Sequence, residues 1–324
     1  MKNLLHKSII ISLLVLSPVI SFAMTETTTG GQLSAEISPT DPGPFTDTSV
    51  NLVSYDVDLS HSNIIWTING QKQKEGIGAN NLQLTTGPVG KKILINIEVL
   101  SQDGKDITKE ISMIPEDVDL LWQSNGYVPP FYEGKSEVVA GGDVKLLALP
   151  NFVSEDGSKI DASKLIYNWR TNGEIVSSGY GQSFITTSVD ESLPQDTFAV
   201  DVSSTDDIMR ASKIINLRPH LPVVLLYETN PLSGTIFQKS LLNSIQMNAA
   251  EMTVIAEPYF FNTKDLGYLW SVNNEPPSAD LNSKQLTVRQ PSGSGESLLN
   301  ILINSASQSA QMNLIIKFGR TANF

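Results

Sequence analysis

The chain has 324 residues, 34 Asp and Glu against 22 Lys and Arg, a formal net charge of −12 and no cysteine. Without thiols there is no disulfide, thiolate metal site, iron–sulfur cluster or cysteine nucleophile, and the acidic balance has the wrong sign for a nucleic-acid partner. Apolar residues at 40% and charged residues at 17% suffice for packed cores, and at ~100–200 residues per domain the length predicts two or three domains.

The first segment is an address. Lys2 and Lys7 precede an apolar stretch from Ile9 to Ile20, and Ser21-Phe22-Ala23 puts small residues at −3 and −1 of a cleavage site. This is the layout of a secretory signal peptide over residues 1–23. The apolar run is shorter than the ~20 residues that span a bilayer, which favours cleavage over retention as an anchor. The mature chain then starts near Met24, and residues 24–32, with four threonines and Gly30-Gly31, read as a flexible leader.

A first unit follows over residues 33–114. Val50 and Leu52 mark an early strand, and Ile64, Trp66 and Ile68 alternate with period two, as on a strand with one buried face. Asn69-Gly70 is a tight hairpin turn, because both residues tolerate positive φ. Ile93, Ile95, Ile97 and Val99 alternate again, Asp103-Gly104 turns the chain, and residues 107–113 close the unit.

The pattern then repeats twice. Residues 117–219 carry Val144 and Leu146, then Leu165, Tyr167 and Trp169, the turn Asn172-Gly173, and Phe198, Val200 and Val202, with a closing strand over 212–217. Residues 221–318 carry Met252 and Val254, then Leu266, Tyr268 and Trp270, the turn Asn273-Asn274, and Leu299, Ile301 and Ile303, closing over 312–318. The tryptophans at 66, 169 and 270 are 103 and 101 residues apart. The last two copies share more: Leu120-Leu121-Trp122 answers Leu225-Leu226-Tyr227, Asn125 answers Asn230, and Lys135-Ser136 answers Lys239-Ser240. Internal repetition of this kind signals tandem units. No amphipathic helix is readable, residues 240–252 being the most ambiguous stretch. Residues 319–324 read as a loose tail.

Trp-x-x-Asn-Gly, the run from Lys92 to Val99, and Asp103-Gly104 resemble PKD-type and related immunoglobulin-like repeats of bacterial surface proteins. The resemblance implies an all-β fold of tandem immunoglobulin-like (PKD-like) β-sandwich domains, and a spacer, adhesive or accessory role at a surface. It transfers no catalytic residue. Proline at both joints, Pro115 and then Pro219 with Pro222, stiffens short linkers, so an elongated arrangement is expected. The apolar opening segments 118–132 and 223–237 are expected to lie against the preceding domain.

Chemistry is sparse. The mature chain holds two histidines, His61 and His220, far apart in sequence and without partners at ligand spacing. Ser294 lacks the Gly-x-Ser-x-Gly context of a nucleophile. Asp56 with Asp58, Glu155-Asp156 and Asp206-Asp207 read as solvated turn residues rather than calcium loops, which need six to eight converging oxygens. No catalytic residue, cofactor or metal is expected. Trp66, Trp169 and Trp270 belong to cores by their alternation. Trp122, Tyr127, Phe131 and Tyr132 read first as packing on their own domain or the next, and stand as candidate partner contacts in the alternative; Pro129 and Pro130 keep that run out of a central strand. The reading is a non-enzymatic secreted or cell-envelope module that spaces, adheres or assembles, with protein or glycan as partner. A carbohydrate- or peptidoglycan-binding accessory module is the alternative, and a hydrolase using a carboxylate pair a weaker one.

Overall fold

The computed structural model describes residues 26–29, 33–128, 132–277 and 282–319. The signal segment and Phe131 lie outside the described residues. Among those described the chain is all-β, with 23 strands and one 3₁₀ turn, Ala162–Lys164.

The strands of the first sandwich are β1 (Glu26–Thr29), β2 (Leu33–Ser38), β3 (Asp47–Ser54), β4 (Asn63–Ile68), β5 (Gln71–Ile77), β6 (Asn81–Thr85), β7 (Ile93–Leu100) and β8 (Ile107–Met113). They form a sheet of order β1-β8-β7-β4-β5 and a sheet of order β2-β3-β6. The second sandwich has β9 (Asp117–Ser124), β10 (Asp143–Asn151), β11 (Ile166–Thr171), β12 (Glu174–Tyr180), β13 (Phe184–Ser188), β14 (Asp196–Ser203) and β15 (Arg210–Leu217), in sheets β13-β10-β9 and β12-β11-β14-β15. The third has β16 (Val223–Asn230), β17 (Gly234–Thr235), β18 (Ser244–Gln246), β19 (Glu251–Tyr259), β20 (Gly267–Val272), β21 (Gln285–Arg289), β22 (Gly295–Asn304) and β23 (Ser309–Phe318), in sheets β17-β16-β19-β21 and β18-β23-β22-β20. These are tandem immunoglobulin-like sandwiches.

The chain clusters into two compact units. One holds the described residues up to Glu36 with Val50–Leu82 and Ile93–Met113; the other holds Ile37–Ser49, Gln83–Lys92 and the chain from Ile114 onward. In the first unit Val50, Ile64, Trp66, Ile95, Val99 and Ile111 are completely buried. The second contains two cores. One gathers Leu146, Phe152, Tyr167, Trp169, Phe198 and Val200; the other gathers Leu226, Val254, Phe261, Trp270, Ile301 and Ile316. Period-two alternation explains each: β7 reads ILINIEVL and buries Ile93, Ile95, Ile97 and Val99 while their neighbours face outward.

One local device recurs three times. The buried indole Nε1 donates to a backbone carbonyl thirteen residues on: Trp66 to Ala79 at 2.7 Å, Trp169 to Gln182 at 2.8 Å, Trp270 to Ser283 at 2.7 Å. Three residues after each tryptophan stands an asparagine with positive φ: Asn69 at 48°, Asn172 at 52°, Asn273 at 53°. Each asparagine makes a two-point clamp on the strand twenty-five residues later. Asn172 N–H donates to Thr197 O at 2.8 Å while its Oδ1 accepts from Thr197 N at 2.9 Å. Asn69 does the same with Leu94, and Asn273 with Leu298. Asparagine suits the position because it tolerates the left-handed region and brings its own acceptor.

One expectation needs correction, and one ambiguity is resolved. Glu26–Thr29 do not hang as a leader; they pair antiparallel with Thr108 to Ile111 along the open edge of β8. A threonine run suits that, being rich in β-branched residues. The ambiguous stretch 240–252 forms the short β18, which runs parallel to β23, and then enters β19.

Trp169→Ala should cost ~3–5 kcal/mol, the range for deleting a large core aromatic. Asn172→Ala should cost about 1–3 kcal/mol, from a lost acceptor and a strained positive φ, and Asn172→Gly less, since glycine keeps the backbone and loses only the clamp. Urea unfolding of the three variants checks the order Trp169→Ala, Asn172→Ala, Asn172→Gly.

Candidate functional site

Strand β9 crosses the whole second sandwich and delivers the chain at its far end. There Gly126 N–H donates to Ser124 Oγ at 3.1 Å, and Ser136 Oγ donates to Gly126 O at 2.8 Å. A Cβ at Gly126 would stand 2.7 Å from Val139 Cγ1, so only glycine passes this point. The next amide, Tyr127 N–H, donates to Phe261 O in the third sandwich at 2.6 Å, and the Tyr127 ring packs against the third core. The contact at Tyr127 therefore runs forward to the third sandwich, the packing on the next domain that the sequence left open, and not back to the preceding one as expected of the segment 118–132. The reason is the length of β9, which places this segment at the far end.

The return segment Val138 to Ala140 completes the joint. His220 N–H donates to Val138 O at 2.8 Å and Ala140 N–H to His220 O at 3.1 Å, and the His220 ring stacks on Phe260 with centroids 4.6 Å apart. Gln308, 8% exposed, bridges both sandwiches with its carboxamide. Its Nε2 donates to Ala140 O at 2.8 Å and its Oε1 accepts from Asn262 N at 2.7 Å. Asn262 Nδ2 donates to Gly141 O at 3.1 Å, where φ is +64°.

Burial sets the electrostatics here. It raises the hydroxyl pKa values of Tyr127, Tyr259 and Tyr268, that of Tyr268 to about 12, and the carboxylate of Glu257 adds to each shift. Glu257 is itself buried and paired with Lys284 at 2.7 Å, and Tyr227 and Tyr259 share a hydroxyl contact of 2.9 Å.

The candidate contact residues do not gather into one patch. Trp122 stands opposite Leu146 on β10 and packs against the second core, with Lys135 Nζ 3.2 Å over its ring. Tyr127 belongs to the joint. Tyr132 is 40% exposed, its ring lying across Gly134, where a Cβ would come 2.7 Å from Cζ. Phe131 lies outside the described residues.

Groups that could do chemistry are placed as follows. His61 Nδ1 lies 2.7 Å from Asp58 Oδ2 and 3.0 Å from Ser60 Oγ. A relay needs serine and aspartate on opposite ring nitrogens; here both meet Nδ1, on side chains of His61 and Asp58 that are 71% and 64% exposed. Among the described residues no group of three His, Cys, Asp or Glu could hold a metal ion. A polar hollow of about 540 Å³ is lined by Ser38, Asp47, Ser49, Gln83 and Thr85, with Asp47 as its single carboxylate. No helix among the described residues is long and apolar enough to cross a membrane.

The first joint in chain order meets at Glu116. Gly90 N–H donates to Pro115 O at 2.9 Å, and a Cβ at Gly90 would stand 2.8 Å from Val153 Cβ and O. Glu116 is 1% exposed; its Oε2 accepts from Val153 N at 3.2 Å, and burial pushes its carboxyl up to about 7.

No family model and no curated protein matches the chain. Among solved structures, the chain is similar to fibronectin(III)-like modules of Clostridium thermocellum CbhA at 16% identity, over 58% of this chain and 94% of that one, with a TM-score of 0.29. It is similar to three N-terminal domains of the bacteriophage RB49 highly immunogenic outer capsid protein at 11% identity, over 90% and 99%, with a TM-score of 0.25. It is also similar to Bacteroides ovatus SGBP-B of a mixed-linkage glucan utilization locus, in complex with a heptasaccharide, at 11% identity, over 93% and 69%, with a TM-score of 0.20. Likenesses of this size carry nothing beyond themselves; the architecture rests on strand order and register.

Gln308→Ala leaves Ala140 O and Asn262 N without their partner. It should cost about 1–3 kcal/mol and strip hydrogen-exchange protection from the Tyr127 and Asn262 amides before the strand interiors. Glu116 binds its proton more tightly folded, at about 7, than at its ordinary 4.5. The folded state therefore holds more protons in that window, and stability falls as pH rises from 4.5 through 7. Glu116→Gln keeps an acceptor for Val153 and should flatten this slope and raise the melting temperature at pH 8 relative to wild type. Thermal melts at pH 5 and pH 8 check it.

Proposed function

We propose that the chain is a non-enzymatic, exported module of the bacterial envelope, whose tandem sandwiches space, adhere or assemble, with protein or glycan as partner. The observation that carries this reading is the joint between the second and third sandwiches. Gln308, Asn262, Tyr127 and the His220–Phe260 stack join two folded sandwiches through buried, mutually satisfied groups. Side chains here are spent on holding one sandwich against the next. Such a build suits a protein that acts through surfaces spread over repeats rather than through one pocket. The net charge of −12 turns the chain away from anionic lipid and nucleic acid. The three core tryptophans serve packing, and Trp122 lies under Lys135, so none of the four offers an open stacking face for sugar.

Cell fractionation with N-terminal sequencing tests the reading. The expected result is protein recovered outside the cytoplasm and beginning at Met24. Full-length protein with Met1 intact in the cytosol, or turnover of a polysaccharide abolished by changing one carboxylate, overturns it.

A further inference from the structure

In each sandwich the sheet without the tryptophan strand turns two cross-strand pairs outward, and the copies differ in how those pairs are satisfied. In the third, Glu251 pairs with Arg289 at 2.8 Å, and two residues further in Thr253 Oγ1 meets Thr287 Oγ1 at 2.9 Å. In the second, Lys145 stands opposite Thr186 and lays its Nζ over the Phe184 ring at 4.8 Å. These groups find partners within their own sheet.

The first sandwich leaves its pairs open. Trp66 and Trp270 are 204 residues apart, and the same offset carries Asp47 to Glu251, Ser49 to Thr253, Gln83 to Thr287 and Thr85 to Arg289. Asp47 Oδ1 accepts from Thr85 Oγ1 at 2.8 Å, which uses one carboxylate oxygen. The side chains of Ser49, Gln83 and Ser38 make no hydrogen bond among the described residues. All five residues line the polar hollow of about 540 Å³, a volume inside the ~300–1,000 Å³ of ligand sites.

Phe45 stands two residues before Asp47. It is 71% exposed and has a φ of 52°, a left-handed conformation that bulky residues rarely adopt. The turn imposes it. Phe45 N–H donates to Gly87 O at 3.2 Å, Thr46 N–H to Thr86 Oγ1 at 2.8 Å, and Thr86 Oγ1 to Gly43 O at 2.6 Å. An apolar ring is thereby held in water a short step along the chain from a set of unused hydrogen-bonding groups. Backbone strain of this kind gathers where a ligand is met.

The unused groups set the class of ligand. Two hydroxyls, a carboxamide and a carboxylate oxygen offer donors and acceptors together, and hydroxyls answer both. A divalent cation needs six to eight oxygens, and Asp47 is the single carboxylate here. A phosphate or an acidic sugar meets no cation in the lining and a chain of net charge −12. An apolar ligand would strip water from these groups and replace none of it. A peptide strand would seek the backbone of a sheet edge, whereas the hollow presents side chains.

We propose that the hollow is a subsite for a neutral glycan, with Ser38, Ser49, Gln83 and the second oxygen of Asp47 on its hydroxyls and Phe45 against a ring face. This rests on the reading of the chain as a surface module, and names glycan as the partner and the first sandwich as the place.

Amide NMR of the whole protein is the test. The probes are cellohexaose, maltohexaose, mannohexaose and the β-1,4-linked N-acetylglucosamine hexamer, each titrated to millimolar concentration. The expected result is that at least one shifts the amides of residues 47–49 and 83–85 to saturation and leaves those of Thr253 and Thr287 in place. Gln83→Ala should weaken that binding ~tenfold, the worth of a lost hydrogen bond, at an unchanged melting temperature because the side chain is solvent-facing. Phe45→Gly should weaken it too while holding or raising the melting temperature, since glycine is at ease at positive φ. Hexagalacturonate should not bind. No shift from any of the four, shifts centred elsewhere, equal binding of hexagalacturonate, or binding that survives both substitutions overturns the proposal. Absence of binding leaves the exported-module reading intact with protein as its partner. A cytosolic chain with Met1 intact, which overturns that reading, is found by fractionation and not by this titration.

Discussion

A buried indole needs an acceptor. The tryptophan of each sandwich is all but out of reach of water, and an N–H left unpaired there would cost ~1–3 kcal/mol. The carbonyl that satisfies it comes from the segment thirteen residues on, at Ala79, Gln182 and Ser283. That bond ties the central strand to the chain as it leaves for the opposite sheet. The same carbonyl segment then pairs onward: Leu52 N–H meets Asn80 O, Ala148 N–H meets Ser183 O, and Ala256 N–H meets Lys284 O. In a sandwich without cysteine, the two sheets are thus linked through one side-chain bond and the backbone beside it, on top of the packed core. The asparagine clamp adds the third point, locking the turn after the tryptophan onto the strand that follows.

The joints obey the same rule at the ends of the sandwiches. Strand ends leave backbone donors and acceptors that must be paired once they are buried. At the second joint the pairing is done by neutral amides, with Gln308 offering a donor and an acceptor at once. At the first it is done by Glu116, which accepts from Val153 but leaves Oε1 with no partner. A carboxylate there must either lose water or take up a proton, so its affinity for the proton rises. Two solutions to one geometric problem differ in chemistry: the Gln308 carboxamide has no proton to gain or lose, and the Glu116 carboxyl has one.

What was legible in the sequence follows from this division. Alternation placed Trp66, Trp169 and Trp270 in cores, and the Asn-Gly and Asn-Asn pairs marked turns that the structure forms with positive φ. Period-two burial and left-handed turns are local properties, and sequence displays local properties. Gln308 and Asn262 were not legible. Gln308 follows Ser305-Ala306-Ser307, and nothing in that run separates a loop glutamine in water from one bridging two sandwiches. Its partner Ala140 is 168 residues away. Gly126, Gly141 and Gly90 left a faint signal, since glycine outside an obvious hairpin can mark a close approach. Tyr127 was singled out as an apolar residue unexplained by alternation, but its destination depended on the length of β9. Counting residues along a strand could have shown that it emerges at the far end.

Backbone-mediated joints also explain how the copies could diverge while keeping one architecture. The Tyr127 amide, the Ala140 carbonyl and the Gly141 carbonyl present the same groups whatever side chains surround them. The side chains around them are therefore free to vary in chemistry. Tyr127 lays a ring on the open third core, whereas at the other joint the Glu116 carboxyl accepts from the Val153 amide. Side chains that differ from joint to joint around fixed backbone groups let each end fit its own neighbour and reject the others.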